Sequence, residues 1–477
     1  MKAINKDILK LAIPSILANI TVPIVGMVDI AVAGHLDTQA AVMIGGIAIG
    51  TMLFDLLYWN FGFLRVGTGG LTAQAFGKGD RKECATIFAR AIGISLACAL
   101  ALIAIQWIFV KAAFLVVDCT PEVRALASQY FFIRIWAAPA TLSLMAFKGW
   151  FIGMQDSVSP MLTDLTVNGM NVLMSFVLAL GIKAVGYEGM GFPGIAAGTV
   201  AAQYSGLLVA VLLAVFKYRR NTFSTLSLSD LKGVFKGSET RRFFVMNTDL
   251  FVRSLCFIAI YIGFTVISAR YGDLLLAVSS IMMKLLMIFS YFTDGFAYAG
   301  EAMTGKYIGA KDAVMLRQTV KWTFVWSMGI ALIFIGIYHF AGVPLLRMMT
   351  SDVTVVEASR EYLPWLLLMP VIGCAAFTWD GIYIGATASK AIRNSMLWAV
   401  VGFTAVWFIG IACLNWLSPG IGLDSAAAGS LPASGSDVSG ATGYGRIAMH
   451  ILMAAYFAHL LARTIYLSAK YRKVVHI

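Results

Sequence analysis

The stretch TVPIVGMVDIAVAG, residues 21–34, holds one acid, Asp29, with only apolar or small neutral residues on either side. It lies about 20 residues into the first long apolar run, and no cation falls within a few helical turns of it in sequence. Burial disfavours the charged form of a carboxylate. Such a group can therefore take a proton from one side of a barrier and release it to the other. TVNGMNVLMSF places Asn168 and Asn171 three apart on one helical face, and GIAAGTVAA contributes Thr199. Amides and hydroxyls hydrogen-bond a carboxyl group in either protonation state, although they also hold membrane helices together with no chemical role.

A second set of ionisable residues lies further along. Asp294 and Glu301 are seven apart, two turns along one helical face, and Asp380, Lys284 and Arg253 could complete a polar cluster with them. Mixed signs fit a structural ion-pair network and a substrate or ion site equally well. Asp55, Arg65, Lys148 and Asp249 also interrupt apolar runs; for Arg65, Lys148 and Asp249, snorkelling near a span end or a structural ion pair accounts for the charge. A charge at the middle of a bilayer costs about 2.5–3.5 kcal/mol on insertion scales, so these groups face a cavity or pair together.

The elements that must position these residues are membrane helices. The chain has 477 residues, 60% hydrophobic and 13% charged. A soluble protein carries about 25% charged residues, and a soluble fold has no place to hide this much apolar surface. A crossing helix needs about 20 mainly apolar residues. Twelve such runs are read, roughly 8–34, 39–64, 86–117, 124–153, 159–183, 193–217, 244–269, 274–303, 319–348, 360–386, 395–417 and 445–468. The N-terminal segment, with Lys2, Lys6 and Lys10 ahead of the first run, resembles a signal sequence. It has no clean cleavage site and reads as a retained first span.

The net charge of +12 sits in short clusters between the runs, without the interleaved aromatics or soluble domain of a nucleic-acid binder. Alternate loops are cation-rich (Lys78, Arg81 and Lys82; Arg219 to Arg242; Lys306, Lys311 and Arg317), which places both termini in the cytoplasm by the positive-inside rule. Six cysteines without C-x-x-C spacing and five scattered histidines signal neither a metal site nor a redox pair. GMGFPG, residues 189–194, follows a membrane span and contains Pro193, so it is no dinucleotide site, and no Walker A sequence occurs. No cofactor and no enzymatic constellation is expected.

The chain repeats itself. GFLRVGTGGLTAQAFGKGDRK begins at Gly62 and DGFAYAGEAMTGKYIGAKDAV at Asp294, so that Thr72, Gly77 and Asp80 match Thr304, Gly309 and Asp312 at an offset of 232. The same offset carries Ile152-Gly153 onto Ile384-Gly385. Six spans return a chain to its starting side, so the repeats share an orientation and are related by an axis along the membrane normal, the geometry of a transporter. The expected division is an N-lobe over 1–217, a basic linker over 218–242 containing a short interfacial helix, and a C-lobe over 243–477 with a flexible outward loop at 418–444.

Four motifs carry a resemblance: VPIVGMVDIAVAGHLD (22–37), GFLRVGTGGLTAQAFG (62–77), DGFAYAGEAMTGKYIGA (294–310) and DGIYIGATASKAIRNSM (380–396). Over essentially its full length the chain resembles the multidrug and toxic compound extrusion (MATE) family, in its DinF-like branch. The resemblance implies twelve transmembrane helices in two six-helix lobes around a V-shaped cavity. It also implies export of organic drugs and toxins, cationic or amphipathic, driven by inward H⁺ or Na⁺ across a bacterial cytoplasmic membrane by a functional monomer. The family's first-helix acid falls on Asp29, its fifth-helix Asn on Asn171 and its sixth-helix Thr on Thr199. Where many relatives have a second Asp on the fifth helix, this chain has Ser175, which favours H⁺ over Na⁺. The competing reading is a flippase or exporter of a lipid-linked or anionic amphipathic substrate in the same superfamily, which the cations Arg65, Lys148, Arg253 and Lys284 would suit.

Overall fold

The structure, a computed structural model, describes residues 2–34, 40–115, 117, 119–182, 186–227, 230, 233–235, 238–350, 352–417 and 438–474. The first half folds as α1 (Lys2–Gly34), α2 (Ala40–Trp59), α3 (Phe63–Gly77), α4 (Arg81–Ala113), α5 (Pro121–Arg134), α6 (Ala138–Gly153), α7 (Val158–Leu180) and α8 (Phe192–Tyr218). The second folds as α9 (Ser238–Ala269), α10 (Asp273–Gly309), α11 (Ala313–Met349), α12 (Val353–Arg360), α13 (Leu363–Gly385), α14 (Ser389–Leu417) and α15 (Val438–Val474). Eleven stretches among the described residues are helical, long and apolar enough to cross a membrane, beginning with Val42–Gly77 and ending with Gly443–Lys473. They match the second to twelfth runs read from sequence, and α1 takes the place of the first. The all-α, polytopic expectation holds. The expected outward loop falls mostly on residues 418–437, outside the described residues, as do parts of the expected linker helix.

Local sequence explains where helices start. Asp80 accepts from the Glu83 amide at 2.9 Å and opens α4, while its counterpart Asp312 accepts from the Met315 amide at 3.0 Å and opens α11. Both are N-caps that satisfy an orphan donor of the first turn. Thr120 caps α5 ahead of Pro121, whose missing N–H costs nothing at a helix start. The turns before these starts repeat as well. Gly79 and Lys311 adopt positive φ (77° and 57°), and so do Gln155 and Thr387 (64° and 54°), each pair one repeat apart.

Glycine contacts carry the repeat into packing. A Cβ on Gly149 would lie 2.1 Å from the Arg65 carbonyl, and one on Gly381 would lie 2.1 Å from the Ala297 carbonyl, the same contact in each half. Gly153 meets Gly69 O and Thr72 Cβ, and Gly385 meets Glu301 O and Thr304 Cβ. Where α3 passes α10, Gly77 approaches the Lys306 carbonyl (1.9 Å for a Cβ) and Gly309 approaches the Gln74 carbonyl (2.1 Å). The 232-residue shift exchanges these two contacts.

The chain divides into two compact units. The first comprises Met1–Phe251, Tyr298–Thr319 and Ile384–Thr387, with a core around Phe54, Tyr130, Phe131 and Phe192. The second comprises Val252–Ala297, Val320–Tyr383 and Ala388–Ile477, with a core around Phe264, Met282, Phe289, Tyr338 and Phe457. In the first unit the basic segment after α8 packs onto α4 and α6. Phe223 stacks on Trp150 (5.4 Å between centroids), and Arg90 Nε donates to the Val234 carbonyl at 3.0 Å.

Asp156, in the turn between α6 and α7, accepts from Ser159 N, Ser159 Oγ, Lys217 Nζ and Tyr218 Oη at 2.6–3.0 Å. Burial raises its carboxyl, but the hydrogen bonds from Ser159 and Lys217 outweigh it and hold the group below its ordinary value. The stabilisation is thus present above the unfolded carboxylate range and lost as pH falls through the lower, folded one. Asp156→Ala is expected to cost about 1–3 kcal/mol at neutral pH, read as thermal unfolding in detergent, with the gap to wild type closing on acidification.

Candidate ion-coupling site

Asp29 is buried (6% exposed) on α1. Its hydrogen bond comes from α7, where Ser175 Oγ donates to Asp29 Oδ1 at 3.1 Å. One turn earlier on α7, Asn171 Nδ2 donates to Thr199 Oγ1 of α8 at 3.0 Å, and the Thr199 hydroxyl bonds back to the Ile195 carbonyl. Asn171 Oδ1 is buried and has no partner, so an acceptor stands open in the cluster. Asn168 donates to Thr21 Oγ1 of α1, about two turns before Asp29. The four residues expected from sequence thus lie on three neighbouring helices, and the hydroxyl bonded directly to the acid is that of Ser175.

Arg134, at the end of α5, escaped the sequence reading. Its charge attracts both Asp29 and Asp55, yet its hydrogen bond goes to Tyr130 Oη at 3.0 Å and its guanidinium lies 4.8 Å from the Phe54 ring centroid. FFIRIWAAP breaks an apolar run with one cation, the same signal that singled out Asp29.

The second set of acids is divided between the two units. Glu301, fully buried, pairs with Arg65 of α3 at 3.1 Å, and both belong to the first unit. The ring of Tyr298 lies 4.5 Å from the Arg65 guanidinium and 5.9 Å from Lys148 Nζ, which pairs with Asp164 at 2.7 Å. Asp380 belongs to the second unit and is held by Arg253 at 2.6 Å and by Arg463, a residue that sequence reasoning also passed over. Asp294 lies half-buried in that unit; Lys284 is exposed there and makes no ion pair within 4 Å among the described residues.

The acid thus lies buried on a long helix, accepts from a hydroxyl and is flanked by amides, in a chain that repeats itself and has eleven helices of membrane-crossing length among the described residues. The profile of the MatE family matches residues 14–177 and 250–409, most of both halves. The chain belongs to the MatE family. DNA damage-inducible protein F of Escherichia coli (strain K12) is 32% identical over 415 residues, covering 87% of this chain and 86% of that protein. A probable multidrug resistance protein NorM of Photorhabdus laumondii is 23% identical over 436 residues, covering 88% and 90%. Among solved structures, an outward-facing multidrug resistance MATE transporter superposes with a TM-score of 0.76 at 15% identity over 99% of this chain and 96% of the other. A MOP superfamily transporter from Pyrococcus furiosus, whose binding pocket is described as having reverse polarity, gives 0.75 at 16% identity over 99% and 96%. This MatE chain is a multi-pass membrane protein of the multidrug and toxin efflux class.

Proposed function

We propose that this transporter is a secondary antiporter that exports organic compounds, cationic or amphipathic, in exchange for H⁺ carried by Asp29. The observation that supports this most is the buried carboxylate whose hydroxyl donor among the described residues is Ser175, with an open amide acceptor, Asn171 Oδ1, one turn away. A proton needs one oxygen at a time. Na⁺ needs several at once, and Ser175 supplies no second charge where relatives of the resemblance carry Asp. Asn168, Asn171 and Thr199 position the acid, and the halves 1–217 and 243–477, joined by 218–242, act as the lobes of an alternating-access carrier. It works as a monomer in a bacterial cytoplasmic membrane with both termini inside, without a cofactor or a chemical transformation of the substrate. The flippase reading draws on cations that would hold pyrophosphate. Arg65 and Lys148 already face Glu301 and Asp164, which weakens it.

One proton falling through 100 mV supplies about 2.3 kcal/mol, and a tenfold gradient costs about 1.4 kcal/mol, so a neutral solute is held at roughly 40-fold. The test is dye efflux from proteoliposomes under an imposed pH gradient, with a Na⁺ gradient as control. Proton-driven efflux is expected; Na⁺-driven, pH-insensitive exchange overturns the coupling assignment.

A further inference from the structure

The second unit holds a charge for which the proton exchange has no use. Arg253 Nη2 of α9 and Arg463 Nη2 of α15 both donate to the same oxygen, Oδ2, of Asp380 on α13. The other oxygen, Asp380 Oδ1, and the Nε atoms of both arginines are buried without a partner. Within this trio, two guanidiniums and one carboxylate carry one net positive charge. A structural pair needs a single arginine, and a second cation taken out of water carries a desolvation penalty of several kilocalories unless a further anion meets it.

The three side chains are not equally enclosed. Arg463 is 2% exposed and Asp380 9%, whereas Arg253 is 24% exposed near the middle of the span Thr240–Ala269. Ionisable side chains at that depth face the bundle interior or a water-filled cavity in preference to hydrocarbon. Arg463 therefore backs the group from behind, Asp380 holds the fork in place, and Arg253 reaches outward.

We propose that Arg253 is the docking point for the anionic group (carboxylate, sulfonate or phosphate) of an amphipathic organic substrate, with Asp380 standing in for that group when the site is empty. This rests on the exporter reading above, keeps its amphipathic substrates and replaces the cationic class with an anionic one. Energetics favour it. Export of a monovalent anion against uptake of one proton moves two charges down the membrane potential, so 100 mV sustains a roughly 2,000-fold gradient.

The test is binding to the purified full-length transporter in detergent, using two probes with one ring system, 2-naphthalenesulfonate and 2-naphthyltrimethylammonium. The sulfonate is expected to bind at least ~10-fold tighter. Arg253→Gln is expected to weaken the sulfonate ~10- to 100-fold, the worth of one charge-assisted hydrogen bond, and to leave the ammonium unchanged. Asp380→Asn removes the competitor and keeps both guanidiniums, so sulfonate binding is expected to tighten roughly tenfold, whereas loss of a merely structural pair would weaken it. Equal affinity for the two probes, or sulfonate binding indifferent to both substitutions, overturns the proposal. So does displacement of the sulfonate by phosphatidylglycerol, which would make a bilayer headgroup the ligand. Should Arg253→Gln fail to fold, Asp380→Asn and the wild-type probe ratio decide. Binding needs no gradient, so a failure of proton coupling at Asp29 would leave this result untouched.

Discussion

Asp29→Asn is expected to abolish proton-driven export while the folded protein persists. The amide keeps the shape of the carboxyl group and still accepts from Ser175 Oγ, which donates at 3.1 Å in the native chain. What it loses is the ability to gain and release a proton, and without that step the imposed pH gradient has nothing to act on. Efflux in proteoliposomes should fall to the level of empty vesicles, a loss of at least ~100-fold if the carboxylate alone carries the proton. Ser175→Ala should behave differently. It removes one hydrogen bond to the carboxyl group, worth about 0.5–1.5 kcal/mol when that group is protonated and about 1.5–3 kcal/mol when it is ionised, and so should slow exchange without uncoupling it. Undiminished proton-driven export by Asp29→Asn would move the coupling site to Asp294, Glu301 or Asp380.

Gly309→Ala is expected to destabilise the protein by about 1–3 kcal/mol, the usual cost of overpacking. The new Cβ would lie 2.1 Å from the Gln74 carbonyl and within 3.1 Å of two further backbone atoms. Backbone cannot swing aside as a side chain can, so α3 and α10 must separate where they cross. Gly336→Ala supplies the internal control, because a Cβ there meets nothing within 4 Å. It should stay within about 0.5 kcal/mol of wild type. Thermal unfolding in detergent separates the two, with a fall of roughly 5 °C expected for Gly309→Ala. An equal response of both glycines would show that the crossing tolerates separation.

The fold was legible in the sequence wherever a signal was local or repeated. Apolar run length marked the helices, and the 232-residue offset between Gly77 and Gly309 anticipated contacts that recur in both halves. Asp29 stood out because nothing near it in sequence could neutralise it. Partners far apart in sequence were harder to read. Arg65 and Glu301 are 236 residues apart and Arg253 and Asp380 are 127 apart; composition cannot say which acid a cation will meet. That is why five ionisable residues could be grouped by sign and depth, while the chain folds Glu301 onto Arg65 and gives Asp380 to two arginines. Arg463 lies near the end of its apolar run, where an arginine reads as an interfacial anchor; Arg134 breaks its run as Asp29 does and was legible by the same signal.

The crossing of α3 and α10 is isologous: position 77 meets 306 and position 309 meets 74, as in a dimer of identical subunits. A duplicated and fused half-length ancestor would leave this imprint. The pair of Arg65 and Glu301 breaks it, because their counterparts are Ala297 and Gly69. A Cβ on Gly69 would lie 2.0 Å from Glu301 Oε1, so one half has emptied the space that the carboxylate of the other half fills. Identical subunits cannot do this, since they would carry two glutamates or none. A single chain whose two repeats differ in sequence can carry one such ion pair at the crossing.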